Sequence, residues 1–187
     1  MNPDFFIVLL AAGLSLDCFS VSMITSIYKC LDLVKAFKLA LILAFFQALM
    51  FVAGWYLGKL IFTLLGSAEF MIAASILIVI GIKKILAALN LKHDEKSFNI
   101  DLNIILYGLA LANSLDSFIT SLGSDFFQIS IKMQVIYLYA ASAIFSLIGI
   151  FFGKNLPCKL CPKISIIIGG IILIALGTYM FIVRDPI

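Results

Sequence analysis

Two segments, SLDCFSVS at Ser15 to Ser22 and SLDSFITS at Ser114 to Ser121, decide how this chain is read. Each sets one aspartate inside a long apolar run, and the two copy each other. A carboxylate at the centre of a spanning helix costs roughly 2.5–3.5 kcal/mol on insertion scales, so a matched pair asks for a compensating cation. Around them, 64% of the 187 residues are hydrophobic and 12% are charged, with a mean hydropathy of +1.20. Soluble domains carry roughly 25% charged residues, so the composition is that of an integral membrane protein. The start, MNPDFFIV, has Asp4 and no Lys or Arg ahead of the first apolar run. It lacks the basic n-region of a cleaved signal peptide, and the first segment is expected to be retained as a spanning helix.

Apolar stretches of about 20 residues, the length that crosses the hydrocarbon core, fall at roughly 5–27, 37–61, 69–89, 103–124, 133–153 and 164–183. Backbone groups within them must be satisfied by helix. The longest polar connection is LKHDEKSFNID, Leu91 to Asp101, which leaves no room for a soluble catalytic or nucleotide-binding domain, so no enzyme is expected. Lysines cluster after the first span (Lys29, Lys35, Lys38), the third (Lys83, Lys84, Lys92, Lys96) and the fifth (Lys154, Lys159, Lys163), ten of the 13 basic residues. The positive-inside rule puts these three connections in the cytoplasm and both termini outside. Without a basic patch interleaved with aromatics beyond the membrane boundaries, the net charge of +3 does not point to a nucleic-acid partner.

The repeat extends past the aspartates. Gly54, Gly58 and Lys59 (GWYLGK) return as Gly149, Gly153 and Lys154 (GIFFGK), and ILIVIG ending at Gly81 returns as ILIALG ending at Gly177. Three spans is an odd number, so the copies are inverted. The expected fold is an all-α membrane protein of six transmembrane helices arranged as two inverted three-helix repeats. Residues 1–90 form the first repeat, 91–102 a cytoplasmic linker and 103–187 the second repeat. Secondary transporters recurrently use this plan, with a polar site near the midplane where the halves meet.

Residues three or four apart share a helix face. Asp17 then lies with Gly13 and Ser20, and Asp116 with Asn113, Thr120 and Gly123. A second seam carries Ser15, Cys18 and Ser22 in the first repeat and Ser114, Ser117 and Ser121 in the second, where small hydroxyl residues suit close helix packing. Cys18 reads as part of that packing. No lysine or arginine falls mid-span to pair with the acids, which favours a functional role for both. Gln47, within AFFQALM, adds an amide whose oxygen can face a cation. The candidate metal ligands are therefore Asp17, Asp116, Asn113, Gln47, Ser20 and Thr120. Such oxygen-rich groups suit Mg²⁺, Ca²⁺ or Mn²⁺, and two carboxylates match one divalent ion in charge. The glycine pairs are not a phosphate loop, since Leu60 and Asn155 follow the lysines where Ser or Thr is required.

Cys158 and Cys161 form a CxxC in the loop before the last span, expected on the cytoplasmic side where thiols stay reduced. It leaves open a membrane redox or assembly protein as a second reading. A third is an exporter of a small cationic solute, whose ammonium group an acid pair could bind.

Taken together, SLDCFSVS, FFQALMFVAGWYLG, NSLDSFITS and IIGGIILIALG resemble the MntP family of manganese efflux pumps, and sporulation membrane proteins of the YtaF type share the aspartate framework. The resemblance implies an inner-membrane exporter of Mn²⁺, the metal being substrate and no cofactor being needed, with essential acids corresponding to Asp17 and Asp116. Phe51 departs from the pattern, standing where many members have proline, and Ser20 and Ser117 hold positions often occupied by alanine. Proton antiport is the expected coupling, because moving a divalent cation out against an inside-negative potential costs about 4.6 kcal/mol per 100 mV.

Overall fold

The computed structural model describes residues 3–28, 33–65, 69–90, 103–123, 130–155 and 161–183. Each expected span is a helix: α1 (Pro3–Tyr28), α2 (Leu33–Leu65), α3 (Glu69–Asn90), α4 (Asn103–Ser121), α5 (Ile131–Asn155) and α6 (Cys161–Val183). Over Phe5–Ile27, Val34–Leu60, Ile131–Asn155 and Cys161–Tyr179 the helices are long and apolar enough to cross a membrane, and the chain is a multi-pass membrane protein. The surface agrees. On α2, Phe37, Leu41, Phe45 and Leu49 form an exposed stripe at four-residue spacing, an apolar face of the kind that soluble monomers rarely leave uncovered.

Two helices end elsewhere than the apolar runs suggest. At 33 residues and 1.5 Å per residue, α2 is about 50 Å long and overruns a core of about 30 Å. Near its end, Lys59 Nζ lies 5.4 Å from the Trp55 ring centre, a pairing suited to the membrane–water boundary. In contrast, α4 stops at Ser121, because the Leu122 and Gly123 N–H groups turn to the carbonyls of Ile119 and Thr120 at 3.3 and 3.4 Å. Such three-residue bonds tighten a last helical turn.

The buried apolar residues fall into two clusters. One gathers Phe6, Leu10 and Leu14 of α1 with Phe51, Leu77, Leu138, Leu173 and Leu176. The other joins Cys18 of α1 and Leu39 and Leu43 of α2 to Leu106, Ala110 and Ile150. Between these levels run buried polar residues: Ser15 on α1, Gln47 on α2, Ser142 and Ser146 on α5.

Glycines seat the helices across the two halves. A Cβ at Gly54 or Gly58 of α2 would collide with the backbone of Phe118 or Leu122, at the end of the second aspartate segment. A Cβ at Gly149 or Gly153 of α5 would come within 2.5 Å of the Phe19 carbonyl oxygen and 2.6 Å of that of Met23, in the first. These contacts join equivalent positions of the repeat. They also make α1 parallel to α5 and α2 parallel to α4, as two inverted three-helix units require. α3 runs antiparallel to α6, with Gly81 set on Gly170 and Ile174, and Gly177 on Ala74 and Ile78. The two-fold pattern breaks in one place: α1 packs along α6, whereas α3 meets α4 over only a short stretch.

Candidate functional site

Asp17 and Asp116 are both partly buried, and both are held by α3. Lys84 Nζ lies 2.5 Å from Asp17 Oδ2, with the lysine side chain 3% exposed and the aspartate 13%. Lys83 Nζ lies 3.2 Å from Asp116 Oδ1, with exposures of 63% and 21%. The expectation that no basic residue reaches the acids is therefore corrected. α3 continues to Asn90, so Lys83 and Lys84 belong to the helix and not to the loop after it. Their four-carbon stems carry the charge away from the backbone to the acids. Since neighbouring residues of one helix meet the two acids, Asp17 and Asp116 converge on a single level of α3.

Beside the acids, Cys18 is a hub. Asn113 Nδ2 donates to Cys18 Sγ at 3.3 Å, and the thiol donates to Gln47 Oε1 at 2.6 Å. Two expected ligands, one from each half, thus meet through the cysteine that the helical projection assigned to packing. Cys18, on the second seam and not on the Asp17 face, points into the crossing of α1, α2 and α4. The serine seam packs α1 on α5. Ser15 Oγ donates to the Ala11 carbonyl at 2.6 Å and lies 3.2 Å from Ser142 Oγ, while Ser22 bonds Ser146.

The remaining expected ligands have other bonds. Ser20 Oγ donates to the Pro162 carbonyl at 2.9 Å, and with Ser165 donating to Leu16 at 3.0 Å it fastens α1 to α6. Thr120 Oγ1 donates to the Asp116 carbonyl at 2.7 Å, within its own helix. Among the described residues, no three His, Cys, Asp or Glu side chains gather as a ready metal cage. Both acids are instead balanced by ammonium groups. On the opposite side of the pattern break, a cleft of about 430 Å³ lies between α3 and α4, lined by Met71, Ser75, Ile76, Val79, Ile80, Lys83 and Ile119. Among the described residues, Lys83, the partner of Asp116, is the one charged residue on its otherwise largely apolar wall.

Of the expected basic cluster, Lys163 Nζ lies 3.4 Å from the Leu89 carbonyl at the end of α3, where a helix C-terminus favours a cation. The start of α6 and the end of α3 thus share one end of the bundle. Cys161, expected as a reduced thiol, is disulfide-bonded. Cys158, His93 and the 91–102 linker lie outside the described residues.

A family model described as "Putative manganese efflux pump" matches residues 30–181. Similar proteins include the "Putative manganese efflux pump MntP" of Rippkaea orientalis, 33% identical over 174 residues and 92% of each chain. That of Crocosphaera subtropica is 32% identical over 177 residues and 94% of each chain, and that of Methanospirillum hungatei is 29% identical over 178 residues, covering 95% of this chain and 92% of its own. No solved structure matches. With the family model spanning five helices and the relatives nearly the whole length, the chain belongs to the MntP family.

Proposed function

We propose that this protein is a secondary transporter that exports Mn²⁺ from the cytoplasm. The observation that carries the reading is the convergence of two acids, one from each half, on one level of α3 inside an apolar bundle. Names given to the relatives supply the metal; the chemistry of the groups agrees with it. Carboxylates, the Asn113 and Gln47 amides and the hydroxyls of Ser20 and Thr120 are hard oxygen donors suited to Mn²⁺, and a carboxylate pair matches its charge. In this reading Asp17 and Asp116 are the primary ligands, Asn113 and Gln47 approach from the adjoining hub, and Ser20 and Thr120 lie one turn away.

Access alternates through the broken symmetry. The α3–α4 cleft is lined by Lys83, the partner of Asp116, while its counterpart between α1 and α6 is bridged by the Ser20 and Ser165 bonds. Exchanging the roles of the two halves would close α3 on α4 and part α1 from α6, which is the rocking motion that inverted repeats allow. Protons entering as metal leaves would offset the charge moved, since export of two charges costs about 4.6 kcal/mol per 100 mV. The basic connections face the cytoplasm and both termini lie outside the inner membrane.

Mn²⁺ flux into proteoliposomes tests the reading, measured with and without a pH gradient and against Mg²⁺, Ca²⁺, Zn²⁺ and lysine as competitors. Native protein should carry Mn²⁺ selectively and faster with the gradient, and Asp116→Asn should lose transport while remaining folded. Absence of metal flux from folded native protein, or full coupled activity in the Asn variant, would refute it.

A further inference from the structure

The two acids and the two lysines form a closed charge balance. Two carboxylates, Asp17 and Asp116, meet two ammonium groups, Lys84 and Lys83, at 2.5 and 3.2 Å. One divalent cation carries the charge of both lysines together. An ammonium group and a metal ion cannot hold the same carboxylate oxygen, and with all three cations present the locus would have an excess of two positive charges in a medium that screens poorly.

We propose that Lys84 and Lys83 are tethered counter-cations that stand in the metal's place while the site is empty and are displaced together by one divalent ion. This rests on the reading of Asp17 and Asp116 as a Mn²⁺ site. The two lysines leave differently. Lys83 is 63% exposed beside the cleft and departs by turning its side chain. Lys84 is enclosed, 3% exposed, with its stem beside Gly170 of α6, so it departs only if α3 shifts. α3 has freedom to do so on its α4 side, where the two helices barely meet. A ligand moves a conformational equilibrium only through unequal affinity for the two states. Lys84 creates that inequality, because the lysine-in state excludes the metal and the lysine-out state admits it. A monovalent ion or a single ammonium solute would replace only one of the two lysines and leave the other in place, so the pair also selects for double charge.

The test uses the purified full chain in detergent micelles and free Mn²⁺ as probe, with binding read from loss of the aqueous Mn²⁺ paramagnetic resonance signal. The apparent affinity of a site that is open only part of the time falls by the open fraction, so removing a lysine that occupies it about nine-tenths of the time tightens binding roughly tenfold. Lys84→Met should therefore bind Mn²⁺ about tenfold or more tightly than native protein, and Lys84→Arg should stay near native. Thermal unfolding supplies the second readout. The unfolding temperature of Lys84→Met should climb steeply with Mn²⁺, because Asp17 has lost its own cation, whereas the native protein should gain less. If Lys84→Met folds only when metal is supplied, that dependence is itself the expected result. Folded Lys84→Met that binds no more tightly than native, with an unfolding temperature no more responsive to Mn²⁺, would overturn the lysine proposal. Loss of binding in Asp17→Asn alongside that result would leave the export reading standing. No saturable Mn²⁺ binding in the native protein or any variant would overturn both.

Discussion

Alanine at Gly149 should loosen the bundle, whereas alanine at Gly108 should tighten it, although both glycines are interior to helices. A Cβ at Gly149 would stand 2.5 Å from the Phe19 carbonyl oxygen, 3.1 Å from its Cα and 3.2 Å from its carbonyl carbon. All three obstacles are backbone, so no rotamer change relieves them. To restore ordinary contact at 3.4 Å, α5 must back away from α1 by roughly 0.9 Å, and atoms along the rest of the seam then lose part of their attraction. Overpacking of this kind costs about 1–3 kcal/mol, while Gly→Ala in a helix returns about 0.5–1 kcal/mol. The net loss runs up to about 2.5 kcal/mol, a fall of as much as roughly 70-fold in the folded-to-unfolded ratio. At Gly108 nothing lies within 4 Å of the added Cβ, so only the helix gain remains. Reversible unfolding in mixed micelles, run on both variants and the native protein, measures the two shifts. Gly149→Ala as stable as Gly108→Ala would refute the reading of α5 as closely docked on the first aspartate segment.

Three further outcomes are expected. Cys18→Ala strips the Gln47 oxygen and the Asn113 amide of a buried partner, a loss of about 1–3 kcal/mol for each group left unsatisfied; Cys18→Ser, which keeps a donor and an acceptor there, should recover most of it in the same unfolding assay. Phe51→Ala empties a site that is 1% exposed and should cost about 3–5 kcal/mol, read as a lowered unfolding midpoint. The double change Cys158→Ser and Cys161→Ser should leave Mn²⁺ flux in proteoliposomes intact, and loss of flux from folded protein would favour the redox reading over export.

What was legible in the sequence was whatever depends on one helix at a time. Apolar run lengths placed all six helices, and the matched glycines are consistent with the repeat, since Gly54 and Gly149 serve the same local purpose of letting a backbone approach. What was not legible depends on where long side chains go and on which helices face each other. Lys83 and Lys84 stand near the end of an apolar run and look like a boundary; only the continuation of α3 to Asn90 and the reach of their stems bring them to the acids. Cys18 looked like filler because a projection of α1 shows its direction but not its company. Gln47 and Asn113 come to it from 29 and 95 residues away, and no local spacing records that meeting.

The glycine contacts also bear on how the protein is made. Glycines of α2 receive the aspartate segment of α4, and glycines of α5 receive that of α1, so each half seats the aspartate-bearing helix of the other. During synthesis, α1 enters the bilayer well before α5 exists, and its Phe19–Met23 face waits there without the glycines that will receive it. A ribosome halted after α3 leaves three inserted helices, with Lys84 on hand for Asp17 but α4 and its Asp116 not yet made. Both glycine seams therefore wait for the second half, and two halves made as separate chains would have to meet in the membrane before either seam closed.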